Sequence, residues 1–222
     1  MGAPLRILSI GASCINRFQF QHFIERHPET APAFLRGLFD WNIASLDASL
    51  RALRLARNGA LTETLGDAER YRIAWDTLIV NGSLPEFSFF REDTPEQLLA
   101  DPVRRTDFLQ KIAHLSAPFA TPKRGQRTHL VWSNIQPNLP DTVENVIPWE
   151  SFRLTEPRYR EARRLGCQIF GDDTTFTFIA APPDAAHEVN AHRDVFLVDL
   201  PRGSDYEGPP GLFEPFLQKV LA

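Results

Sequence analysis

Strand-like and helix-like segments alternate along most of this chain, and the first junction sets the pattern. The apolar run LRILSIG, residues 5–11, reads as a buried strand that stops at Gly11. Two small residues follow. SCINRFQFQHFIERH then carries Phe18, His22 and Phe23 at helical spacing until Pro28 ends the pattern. A second helix is expected after Ser45 as its cap, with Leu46, Leu50, Leu53 and Leu55 as the apolar stripe and Gly59 as the stop. YRIAWDTLIVNGSL carries strand material, and the Pro- and Phe-rich residues 84–95 read as irregular. Residues 95–116 predict a helix opening at Pro95, with Val103, Phe108, Ile112 and Leu115 facing inward. RTHLVWSN reads as a strand, PDTVENVIPWESF as a mixed segment with a short helix, and YREARRLGCQIFG as a helix turning to strand at Gly166. TFTFIAA alternates like a half-exposed strand, RDVFLVDLP is a further strand, and GLFEPFLQKVLA is a closing amphipathic helix.

This rhythm predicts an α/β fold of three layers, a mostly parallel central sheet flanked by helices. Residues 1–222 show no repeat, low-complexity tract or linker, so a single α/β domain is expected. Lys and Arg number 24 against 28 Asp and Glu, for a net charge of −4. That balance gives no reason to expect a nucleic-acid partner, which demands clustered positive charge. No run of apolar residues is long enough for a membrane span, and MGAPLRILSI lacks the pattern of a signal peptide. A cytoplasmic, reduced protein is the simplest expectation, with two free cysteines, Cys14 and Cys167. No phosphate-binding glycine loop and no zinc-type ligand spacing stands out, so no cofactor and no metal is expected.

Ligands of open α/β sheets bind beyond the carboxyl ends of the strands, where Ser13 and Cys14 fall. A thiol at a helix N-terminus feels the positive end of the backbone dipoles, which favours its thiolate and points to nucleophilic catalysis by Cys14. The alternative is a buried cysteine packing as a small hydrophobe. Cys167, leading into an apolar run, reads as plain packing. A thiol nucleophile needs an imidazole and a group to orient it. Of the six histidines, His187 is the first choice, from its loop between two late strands, and His192 the second. Asp184 stands three residues before His187 as an orienting group or a helix cap. Asn134, where HLVWSN ends, reads equally as an oxyanion donor or a turn residue. Asp40 beside Trp41 reads as a buried network or a pocket wall, and Arg104 with Arg105 as an anion-binding pair or solvated charge.

LSIGASC ending in Cys14, GLFDW ending in Trp41, VRRTDFLQKI with its arginine pair and the late VFLVDLPRGSDYEG together resemble a bacterial family of papain-like cysteine peptidases. The resemblance implies Cys14 as nucleophile with Asp40 and Trp41 near it. It also implies a small-molecule, peptide, acyl or glycan substrate, since related thiol proteins include acyltransferases. The chain departs from that family in its middle, where EFSFFRED offers Phe89, Phe90 and Arg91 in place of a histidine-bearing stretch. A weaker likeness is to SGNH-type hydrolases, through GASC, SN and DAAH. It implies a serine esterase using Ser13, Asn134, Asp184 and His187, although Ala12 replaces the usual acid. The expected function is thus a thiol-dependent acyl-transfer enzyme, hydrolase or acyltransferase. The alternatives are the serine esterase and a non-catalytic scaffold or binding protein.

Overall fold

The computed structural model describes residues 4–75, 78–90, 95–122, 125–203 and 205–221. The strands in chain order are β1 (Leu5–Ser9), β2 (Asn42–Ala44), β3 (Tyr71–Trp75), β4 (Leu78–Asn81) and β5 (Leu84–Phe90), then β6 (Arg127–Ser133), β7 (Thr175–Ala180) and β8 (Val195–Leu197). The helices are α1 (Ile15–Arg26), α2 (Leu46–Arg57), α3 (Leu61–Gly66) and α4 (Pro95–Ala100), then α5 (Pro102–Ala120), α6 (Leu139–Val143), α7 (Glu156–Phe170) and α8 (Glu214–Leu221).

The strands form two sheets. One is parallel, in the order β1-β6-β7-β8, and the other antiparallel, in the order β2-β5-β4-β3. The fold is α/β, as the alternation predicts, but the antiparallel sheet departs from that expectation. Its second member, β5, occupies residues read as irregular. Pro85 lies next to the strand's start, where a missing N–H is tolerated, and Phe87 and Phe89 are buried on the same side of the strand.

In the parallel sheet, successive residues feed different apolar clusters. Leu8, Leu130, Trp132 and Phe178 pack with Leu50 and Leu53 of α2 and Leu165 of α7. Ile7, Val131 and Ile179 pack with Ile15, Phe20 and Phe23 of α1 and Leu217 of α8. Each such side chain contributes about 1.5–3 kcal/mol on leaving water. Because both faces are covered, β7 is buried from Phe176 to Ala180 rather than half-exposed. Its Thr177 is tolerated inside because the hydroxyl bonds His129 Nε2 at 3.0 Å.

Ser45 caps α2 as its position predicts, accepting from Ala48 N at 3.0 Å. Gly59 follows that helix at φ +71°. The expected helix over 95–116 is two helices, broken at Asp101, whose carboxylate caps α5 by accepting from Val103 N at 2.8 Å. Val103 is 69% exposed while Phe108, Ile112 and Leu115 are buried. The last three are spaced by four and three residues, whereas Val103 stands five before Phe108 and turns outward. Gly166 does not end a helix: α7 continues to Phe170, and Gly171 at φ +107° closes it.

Candidate functional site

The chain leaves β1 through a loop that keeps pairing with β6. Ile10 N bonds Val131 O at 2.8 Å, and Ala12 N bonds Ser133 O at 2.8 Å. On its other side, Ala44 N of β2 bonds Ala12 O at 2.8 Å, which joins the antiparallel sheet to this loop. Gly11 has φ +115°, and a Cβ there would stand 2.7 Å from Ser49 Oγ, so both backbone and space require glycine. Beneath the loop Asn16 is fully buried. Its amide donates to Ser9 Oγ at 2.9 Å and to Gly11 O, and its carbonyl accepts from Ser133 Oγ. Cys14, at the N-cap of α1, therefore rests above the hydrogen bonds of Asn16 at the carboxyl end of β1.

The Cys14 thiol donates to Gln136 Oε1 at 3.3 Å, and Gln136 Nε2 donates to Asn138 Oδ1 at 2.6 Å. Burial pushes the thiol up to about 11; its own backbone N–H pulls down and the charge of Glu207 pushes up. The dipole effect expected at a helix N-terminus is outweighed here by desolvation. Glu207 arrives on the segment after β8. Gln19 of α1 holds that segment by donating to Glu207 O at 2.8 Å and Pro209 O at 3.0 Å. Glu207→Gln is expected to lower the Cys14 pKa and to quicken iodoacetamide labelling of Cys14 at pH 8.5 severalfold, read by peptide mass against Cys167. Unchanged labelling would show that the carboxylate has no hold on the sulfur.

Cys14, Phe18 and His22 succeed one another four residues apart, a single ridge of α1. The Phe18 ring meets Trp41 edge-on at 5.2 Å and Tyr206 at 5.3 Å. His22 Nε2 stands 3.9 Å from Glu207 Oε2. Asp40, adjoining Trp41, is fully buried, and its Oδ2 accepts from Gly37 N at 3.0 Å. Burial raises its carboxyl to about 6, against the pull of that amide and of the Arg17 and Arg36 charges. Arg17 is 8% exposed, and its Nε and Nη1, like Asp40 Oδ1, have no hydrogen-bond partner among the described residues. Asp40 and Trp41 thus lie together with the first turns of α1.

The other expected site residues have separate duties. Ser13 is fully buried, and its hydroxyl has no hydrogen-bond partner among the described residues. Asn134 spends its amide on the loops beyond β6 and β7, donating to Phe152 O at 3.1 Å and accepting from Ala181 N at 3.1 Å. Asp184 accepts from Trp149 Nε1 at 2.7 Å instead of orienting His187. His187 is exposed, and its side chain makes no hydrogen bond or ion pair with any described residue. His192 bonds Glu156 at 2.9 Å and stacks on Tyr159. His27 pairs with Glu214 at 3.3 Å, and His129 lies between Thr175 and Thr177, its pKa lowered by burial to about 4. Arg104 and Arg105 occupy the first turn of α5, where Arg104 faces Asp101 at 3.6 Å. Phe89 is buried in β5, and Arg91 lies outside the described residues. Among the described residues no histidine is hydrogen-bonded to Cys14, and no three His, Cys, Asp or Glu side chains are grouped to hold a metal.

Gln136, Glu207, Asn16 and Arg17 escaped the sequence reading. For Asn16, Arg17 and Gln19 a signal was present: three polar residues among the apolar positions of a helix that packs on a sheet. No helix among the described residues is long and apolar enough to cross a membrane. Comparison with protein-family models, curated proteins and solved structures finds no match to this chain.

Proposed function

We propose that the chain is a thiol-dependent acyl-transfer enzyme, a hydrolase or acyltransferase, with Cys14 as its nucleophile. One observation carries the reading: Cys14 sits at the carboxyl end of β1 and the start of α1, with the carboxamide of Gln136 on its sulfur. That amide holds a donor as well as an acceptor; turned about its last bond, it offers the N–H to a developing oxyanion. A depression lined by Asn138, Asp141, Thr142, Arg202 and Gly203 adjoins Gln136 through Asn138 and gives a substrate its approach. The sulfur lone pair forms the C–S bond while the carbonyl electrons move to oxygen. Collapse expels the leaving group, and water or an acceptor then cleaves the thioester. With the thiol near 11, acylation draws on a small thiolate fraction that grows about tenfold per pH unit up to that point. The two apolar clusters on opposite faces of the parallel sheet support placing it in the middle of three layers.

A second reading, a binding protein without catalysis, is favoured by the neutral thiol and by the lack of an imidazole on it among the described residues. The serine esterase draws no support from a fully buried Ser13. The test is incubation with p-nitrophenyl acetate at pH 7 to 10. The enzyme reading expects many equivalents of nitrophenolate per chain, an acetyl group on Cys14 and not Cys167, a rate climbing about tenfold per pH unit, and no turnover in Cys14→Ala. Equal acetylation of both cysteines, or release unaffected by Cys14→Ala, leaves the binding reading.

A further inference from the structure

At the opposite end of the parallel sheet from Cys14, where β6, β7 and β8 begin, the protein has an open cavity of about 830 Å³. That volume is within the range of small-molecule sites. Five cationic side chains line it, Arg127, Arg160, Arg163, Arg193 and Lys219, against one carboxylate, Asp194. The excess matters because the chain as a whole carries −4. Two of these cations are already neutralised: Arg163 pairs with Asp194, and Arg160 with Glu156 at 2.6 Å. Arg127, Arg193 and Lys219 have no carboxylate within ion-pair distance among the described residues. They come from three separate parts of the chain, so helix or strand spacing does not explain their meeting. Part of the wall is apolar, with the Phe196 and Phe216 ring centroids 4.5 Å apart and Val220 beside them, and Thr174, Thr175 and Thr177 line the rest.

We propose that this cavity binds a small organic phosphate, its phosphate held by Arg127, Arg193 and Lys219 and its apolar or aromatic body laid against Phe196 and Phe216. Guanidinium groups meet phosphate with two parallel N–H donors, and the phenyl rings supply a dry face for a flat body. Inorganic phosphate satisfies only the first requirement and a neutral aromatic only the second. The site is independent of Cys14 and of whether that thiol is catalytic.

The experiment is isothermal titration of the full chain with 1-naphthyl phosphate, inorganic phosphate and 1-naphthol. 1-Naphthyl phosphate is expected to bind at least about tenfold more tightly than either of the others, and to weaken as salt is raised. Arg193→Ala with Lys219→Ala should cut its affinity by at least about tenfold. Both residues are exposed, so the melting temperature should stay put and report that folding is intact. Arg51→Ala, on α2, should change nothing. Failure of 1-naphthyl phosphate to bind, or equal affinity in the double variant, would overturn the proposal. Sedimentation with phosphatidylglycerol vesicles that the same two substitutions abolish would overturn it in favour of a membrane headgroup.

Discussion

Gly166→Leu is expected to lower the melting temperature markedly. Gly166 lies in the second half of α7, facing side chains of β6 and β7. A Cβ there would meet the Phe176 ring at 2.6 and 2.8 Å and Leu130 Cδ1 at 2.9 Å. Phe176 is 4% exposed and Leu130 1%, so both are held by packed neighbours and neither yields without cost. A leucine must lift α7 from β6 and β7 or force buried rings off their rotamers. Overpacking of this kind costs about 3 kcal/mol or more, a loss of roughly 6–12 °C in melting temperature for a chain this long. Gly66, which ends α3, is the control: a Cβ there meets nothing within 4 Å. Gly66→Ala should be neutral or slightly stabilising. Thermal unfolding of both variants by circular dichroism decides the matter, and similar melting temperatures would mean that α7 rides the sheet loosely.

Asp40→Asn should stabilise the protein, and by an amount that depends on pH. The Asp40 carboxyl is raised from 3.8 to about 6, with burial as the main cause and the Gly37 amide and the arginine charges opposing it. A folded-state value above the unfolded one means that the native protein holds the proton more tightly. The stabilising contribution is therefore fully present below about pH 3.8 and disappears as pH rises through 6. Two units correspond to about 3 kcal/mol. An asparagine keeps an oxygen for Gly37 N and has no charge to desolvate. Urea unfolding at pH 4, 5, 6 and 7 should show the variant's advantage growing across that range, by up to about 3 kcal/mol. Parallel curves for the two proteins would show that Arg17 and Arg36 already neutralise the buried carboxylate.

What could be read along the chain was what neighbours in sequence decide. The strand into Gly11, the Ser45 cap, the Gly59 stop and β6 each rest on a few consecutive residues. The antiparallel sheet was hidden because β5 looks like a Pro–Phe loop until β2 and β4 flank it. Thr177 looked like a solvent-facing position because its partner, His129, belongs to another strand. The candidate site divides in the same way. Cys14 at the strand–helix junction is a local arrangement. Gln136 bonds it from 122 residues away, and Glu207 comes from the segment after β8. The basicity of the thiol was misjudged for that reason: the helix start is written in α1, while the burial that outweighs it is supplied by distant segments.

The pairing of β1 with β6, Leu5 opposite Arg127, also sets a timetable. A ribosome adding about 5–20 residues per second must work for roughly 6 s or longer after Leu5 before Arg127 exists to pair with it. Until then a run of leucine and isoleucine waits with no partner strand, exposed to other nascent chains. A chaperone that shields β1 over that interval would cover it until its partner strand is made.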